Sequence, residues 1–348
     1  MQSHSANLAP PAARRGDDLR FYTLTALGLA LFPFVFHLIG GYGELATKIL
    51  IVGIGAMGFN VLLGYAGLLS YGHAAFYGLG GYIAGLTLIH LLPAFPNLWL
   101  TLLITVAAVT FVAWLLGLLY VRLYGIYFAL LTLAFAQMVF FIAFKWRAVT
   151  RGDDGLQGFP SPSIGPWDLQ TPLPSIALGP FGNLGDLKLW YIFVAILTLL
   201  VIAFVRTLLR SQFGEVLAAI RENEERSTFV GFNPTSYKLA AIVISGALCG
   251  LSGALRSLYD QFAAIDMLGV ETSGNLVIYT VVGGVHSLLG PIVGTGLIMY
   301  LQNVLSAKTE AWRLIEGLIF IAVIVFMPGG MLGSFKRGAK FSLKKVLK

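Results

Sequence analysis

Apolar runs of about 20 residues recur along the chain, each closed by charged or turn-forming residues, and that length is what an α-helix needs to cross a bilayer. The runs predict crossing helices near 21–39, 44–63, 66–91, 98–120, 123–144, 189–209, 239–259 and 313–328. Between Asn275 and Asn303 the apolar sequence is broken at Gly283-Gly284-Val285-His286-Ser287 and again at Gly290-Pro291. Two short spans or a re-entrant pair fit those breaks, because irregular backbone at membrane depth is tolerated where protein or a cavity surrounds it. The expected fold class is all-α: a polytopic integral membrane protein of about ten transmembrane helices. The first run is too long for a signal-peptide core and lacks an A-x-A-like cleavage site, so it reads as a retained helix.

Two long polar interruptions set the orientation. The segment 210–238 contains GEVLAAIRENEERSTFVGFNPTSYK and carries Arg221, Arg226 and Lys238 after Arg206 and Arg210. Short loops rich in Lys and Arg stay in the cytoplasm. Counting crossings from the basic stretch Arg14, Arg15 and Arg20 reaches the same side. One span in 275–303 would give nine crossings and leave the C-terminal lysines outside; two give ten and return them to the cytoplasm. The expected organisation is therefore a cytoplasmic tail 1–20, a transmembrane domain 21–333, and a basic cytoplasmic tail 334–348. The Pro- and Gly-rich segment 145–188 falls on the outer side as a structured connector, lid or docking surface.

Composition agrees with the pattern. The 348 residues are 57% hydrophobic and 11% charged, where soluble domains average about 25% charged. The net charge of +7 sits mainly at helix ends and in KRGAKFSLKKVLK, which suits anionic lipid and not nucleic acid. The single Cys249 lies in an apolar run, so neither an internal disulfide nor a thiol metal cluster is available. Asp153-Asp154 lacks the alternating oxygen ligands of a calcium loop. There is no HExxH, G-x-S-x-G, P-loop or Gly-rich nucleotide fingerprint, and no enzymatic activity, metal or cofactor is expected.

Some polar groups lie at membrane depth: Asn60, Tyr65, Ser70, His73, Gln137, Asn275, Tyr279 and His286. Such residues are costly in lipid and face a bundle interior or a water-filled route. Tyr65, Ser70, His73, Asn275 and Tyr279 are taken as candidates for a translocation path, with interhelical hydrogen bonding as the competing role for each. Glycines at small-xxx-small spacing, Gly81/Gly85, Gly246/Gly250 and Gly290/Gly294, predict close helix packing.

The runs GYAGLLSYGHAAFYGLGGYIAG and VVGGVHSLLGPIVG, with FGEVLAAIRENEERSTFVGFNPTSYKLAA between them, resemble the LivM-type permeases of branched-chain amino-acid ABC importers over roughly 21–333. The resemblance implies a bacterial inner-membrane subunit working by alternating access. Its implied partners are a LivH-type second permease subunit, two cytoplasmic ATPase subunits that hydrolyse the ATP, and a periplasmic solute-binding protein. The implied substrates are leucine, isoleucine or valine, with urea, short amides and other small solutes carried by related permeases. The cytoplasmic loop takes the place of the EAA-type coupling loop, and Glu215, Ala218, Ala219 and Gly231 echo that pattern with a longer distance to the glycine. The coupling contacts carried over are Glu215, Ala218, Ala219, Ile220, Arg221 and Gly231.

The residues of that loop support a short amphipathic helix on their own account. Val216, Leu217, Ala219 and Ile220 form an apolar side, and Glu215 near the start suits the helix dipole. That side is expected either to fill a groove in a soluble partner or to lie on the membrane, and Glu222, Glu224 and Glu225 oppose anionic headgroups. A secondary transporter or channel is the alternative from another class. It is expected to bury coupling ions or a charge relay at the midplane.

Overall fold

The computed structural model describes residues 11–336, except positions 94, 165–166, 174–175, 178–182, 185–186, 286 and 328. His286 and most of the basic C-terminal tail therefore lie outside the described residues. The first half holds α1 (Pro11–Leu38), α2 (Gly43–Asn60), α3 (His73–Leu86), α4 (Leu98–Tyr120) and α5 (Gly125–Lys145). Wider π turns extend α2 through Tyr65 and α3 through Leu91. After the single turn α6 (Arg147–Thr150) and the outer loop, α7 (Leu189–Arg210) leads into α8 (Gln212–Glu222), α9 (Glu224–Phe229) and α10 (Pro234–Asp260). The short pair α11 (Val270–Gly283) and α12 (Gly290–Ser306) follows, then α13 (Trp312–Phe326) and α14 (Gly330–Lys336).

Eight helices are long and apolar enough to cross a membrane. At 1.5 Å per residue, α11 with 14 residues is about 21 Å long and α12 with 17 is about 25 Å, each short of a ~30 Å hydrocarbon core. Contacts nevertheless tie this pair to both ends of α2. Near one end of the bundle, the backbone of Val285 lies against Gly64 and that of Gly284 against Gly330. At the opposite end, Asn303 Nδ2 donates to Tyr42 Oη at 3.0 Å, and Lys188 pairs with Glu44 at 3.2 Å. Among the described residues, eight helices thus have the length and composition of crossings, and the short pair α11 and α12 packs among them.

The core is built on α2 and α10. In the α2 span 94% of the most apolar window is buried, against 11% for α1 and 6% for the last span, whose apolar side chains sit at the periphery. Backbone approach at the α3 crossing with α10 is so close that a Cβ on Gly253 would overlap the Tyr77 carbonyl, and one on Gly80 the carbonyl of Gly250. Only glycine fits there, as small-residue packing of membrane helices requires. Of the spacings expected to pack, Gly246 and Gly250 receive Ala113 and Val109 of α4, and Gly294 receives the α11 backbone. Asp18 holds α1 to α7 through Arg206 at 2.7 Å and through Arg210, and the Arg206 guanidinium lies 3.6 Å from the Phe21 ring centre.

Three helix starts differ from the sequence expectation. The first helix begins at Pro11, so 11–20 is helical; α10 begins at Pro234 instead of 239. The third helix begins at His73 and not at 66, because Gly67 adopts the left-handed φ of +72° and interrupts the chain between α2 and α3. The described residues of the loop 145–188 pack on the bundle. Its Leu156 and Gln157 pair antiparallel with Ala263 and Phe262, and Gln170 Nε2 donates to the Tyr259 carbonyl at 3.3 Å.

Candidate functional site

The helix α8 lies outside the spans, packed on α7, α10 and the turn that ends α2. Its inner side chains Val216, Leu217 and Ile220 are 6%, 0% and 3% exposed. The apolar side expected to fill a partner's groove is thus spent on the chain's own bundle. Glu215, Ala218, Ala219 and Arg221 are left on the exposed surface of α8. Ile220 is corrected from a docking residue to an anchoring one. The correction has a simple physical cause, since an amphipathic period reports that a face is buried and not what buries it.

Arg221 combines both sides. Its backbone is at the exposed end of α8, while its guanidinium Nη1 donates to the carbonyl of Gly64. The stem of the same side chain packs over Gly67, where a Cβ would stand 2.8 Å from Arg221 Cγ. The loop helix is therefore bonded directly to the π turn that ends α2, just before the break that leads to α3. Beyond it, the Asn223 side chain caps α9 by accepting from the Arg226 amide at 2.8 Å. The chain then presents Phe229 and Val230, 89% and 71% exposed, ahead of Gly231 at φ +99°. Lys238, buried at the start of α10, pairs with Glu224 and lies 4.4 Å from the Tyr124 ring centre. The Glu224 carboxylate beside Tyr124 raises the pKa of its phenol.

The five candidate path residues separate into three places. Ser70 and His73 belong to a closed network that does not line the cavity described below. His73 Nδ1 is 3.0 Å from Ser70 Oγ and Nε2 is 2.7 Å from Ser245 Oγ, while Ser245 Oγ donates to the Gly58 carbonyl at 2.6 Å. Because Ser245 spends its proton on Gly58, it must accept from Nε2–H, and Nδ1 then accepts from Ser70; this makes His73 the neutral Nε2–H tautomer. Phe59 and Phe76 meet its ring edge-on at 4.9 and 5.6 Å. The histidine clamps α3 to α10 and α2 from a site 1% exposed. Tyr65 lies apart, half-buried near the α8 end.

Asn275 and Tyr279 do converge. They line a cavity of about 410 Å³ with Tyr77, Arg256, Asp260, Asp266, Met267 and Gln302, between the far end of α10, the segment 262–268, α11 and α12. Arg256 Nε donates to Asp260 Oδ2, Asp260 Oδ1 takes Lys48 at 3.1 Å, and Gln302 Nε2 donates to Glu316 Oε1 at 2.8 Å. Sequence reasoning passed over these charges. The available signal was Arg256 and Asp260 at i,i+4 on one helix face. Among the described residues, no group of three or more His, Cys, Asp or Glu is placed to hold a metal ion.

Eight helices long and apolar enough to cross a membrane among the described residues, with a small-residue core, define a multi-pass membrane protein. A family described as "Branched-chain amino acid transport system / permease component" matches residues 41–327, and the chain belongs to that family. It is 28% identical over 321 residues to the high-affinity branched-chain amino acid transport system permease protein LivM of Salmonella typhimurium, covering 89% of this chain and 74% of that protein. With LivM of Escherichia coli it is 27% identical over 320 residues, with the same two shares. A probable branched-chain amino acid transport permease protein LivH of Methanocaldococcus jannaschii is 24% identical over 167 residues, 44% of this chain and 51% of that one. No solved structure matches.

Proposed function

We propose that this chain is one of two permease subunits of an inner-membrane ABC importer, moving branched-chain or related small hydrophobic amino acids by ATP-driven alternating access. Two ATPase subunits bind the α8–α9 end on the cytoplasmic side. A solute-binding protein delivers substrate at the opposite, periplasmic end, where the loop 145–188 packs. Counted as two crossings, α11 and α12 bring the total to ten and return the chain to its starting side, which puts both termini in the cytoplasm, in line with the basic residues clustered there. The permease supplies no hydrolytic chemistry; it couples movement to ATP hydrolysed by its partners.

The observation that carries this reading is Arg221. A helix presented outside the bundle, anchored by Val216, Leu217 and Ile220, bonds through that side chain to the Gly64 carbonyl at the break between two core helices. Displacement of α8 by a partner is thereby passed to α2 and α3, a rigid-body coupling of a kind that needs a direct bond between moving parts. Arg221→Met keeps the stem over Gly67 and removes the bond. In a complex reconstituted with its ATPase subunits, this variant is expected to retain subunit association while leucine uptake per ATP hydrolysed falls severalfold. Unchanged uptake per ATP would remove Arg221 from the coupling route.

A further inference from the structure

We infer that the cavity between α10, α11 and α12 is a binding site for a free α-amino-acid zwitterion, with Arg256 as the carboxylate partner and Asp266 as the ammonium partner. The inference rests on the permease reading above and adds a site and a charge pattern to it.

Arg256 uses Nε for Asp260, and its two terminal nitrogens make no hydrogen bond among the described residues. Asp260 is already saturated on both sides, with Arg256 on Oδ2 and Lys48 on Oδ1. The open half of the guanidinium therefore presents a planar donor fork, the geometry that matches a carboxylate. Across the same cavity the Asp266 carboxylate makes neither hydrogen bond nor ion pair among the described residues, although its backbone carbonyl accepts from Thr272 Oγ1 at 2.9 Å. Asp266 is exposed at the cavity and the Arg256 side chain is 27% exposed, so both groups are open to a ligand that enters it. An open guanidinium fork and an unpaired carboxylate lining one cavity fit a ligand that carries both charges.

The remaining walls fit the rest of such a ligand. Met267, Met299 and Leu276 supply flexible apolar surface suited to an aliphatic side chain. The volume of about 410 Å³ falls within the range of about 300–1,000 Å³ usual for small-molecule sites. An uncharged solute such as urea or a short amide would ion-pair with neither the open side of Arg256 nor Asp266. The site thus selects amino acids over the neutral solutes carried by similar permeases.

The test uses the full permease complex without binding protein, titrated with leucine, leucinamide and N-acetyl-leucine while thermal stabilisation is read in detergent. Leucinamide lacks the carboxylate and N-acetyl-leucine lacks the ammonium. In the parent complex each analogue should bind about tenfold more weakly than leucine, the scale of one charge-assisted hydrogen bond. Asp266→Asn should bring leucine and N-acetyl-leucine to the same affinity, and Arg256→Gln should do so for leucine and leucinamide. Because Arg256 also holds Asp260, Asp266→Asn is the variant expected to leave the fold intact. Equal stabilisation of the parent by all three compounds, or parental leucine affinity in Asp266→Asn, overturns the site. Copurification of the ATPase subunits reports separately on the permease reading. If they bind while leucine affinity ignores both substitutions, only the site falls; if the parent chain binds no ATPase subunit, reading and site fall together.

Discussion

Replacing Ile220 or Ala219 with aspartate should produce opposite failures, although the two residues are adjacent on α8. Ile220 is 3% exposed and faces the bundle, so Ile220→Asp forfeits the burial of a branched side chain, about 1.5–3 kcal/mol. It also forces an unpaired carboxylate into that contact, which costs several kcal/mol more unless α8 detaches or the group protonates. A destabilisation of at least ~3 kcal/mol, or release of α8, is expected. Ala219 is exposed, so Ala219→Asp should change intrinsic stability by no more than about 0.5 kcal/mol while placing a charge at the surface offered to the ATPase. Thermal unfolding of the isolated permease in detergent, read by fluorescence size-exclusion, separates the two, and copurification with the ATPase subunits completes the comparison. The account requires a depressed melting temperature for Ile220→Asp alone and weakened ATPase association for both. An Ile220→Asp protein as stable as its parent would show that the inner side of α8 is not packed on this chain.

Gly253→Ala should destabilise the protein by about 3 kcal/mol or more, since the added methyl meets the Tyr77 backbone and cannot be relieved by rotamer change, whereas Gly274→Ala has open space within α11 and should be neutral or stabilising; detergent melting curves of the pair check this. His73→Leu should cost about 2 kcal/mol by removing two buried hydrogen bonds, and binding-protein-stimulated ATP hydrolysis per folded complex should persist, because the histidine is a clamp. At alkaline pH, the stability contributed by Tyr124 should be complete below the ordinary phenol pKa of about 10 and be lost as pH rises through its raised folded pKa. Glu224→Gln should return the phenol's ultraviolet titration toward its ordinary range.

The apolar runs made the spans legible because crossing lipid imposes one length and one composition on every helix. The breaks at Gly283-Gly284 and Gly290-Pro291 also marked the boundary between the short helices α11 and α12. Helix starts were less readable: Gly67 interrupts a run that is apolar on both sides, and hydropathy carries no record of its left-handed backbone. For α8, periodicity identified the buried face through Val216, Leu217 and Ile220 but could not tell an internal surface from a partner's. Asn275 and Tyr279 were found because they are isolated polar residues in a short span. Arg256, Asp260, Lys48 and Asp266 were passed over because charges near span ends look like interfacial anchors until folding brings three helices and a loop around them. Ser70 and His73 carried the same polar signal as Asn275, and only the partner Ser245, 172 positions away from His73, distinguishes a clamp from a cavity wall.

The central claim is that transport through this chain is driven by ATP bound to other subunits. Leucine uptake into proteoliposomes containing the full complex tests it directly, with ATP enclosed on the α8 side and binding protein supplied on the other. Uptake should require both ATP and the ATPase subunits, and should be indifferent to proton and sodium gradients. Uptake by the permease alone, driven by an ion gradient without ATPase subunits, would contradict the claim and make this chain a secondary transporter.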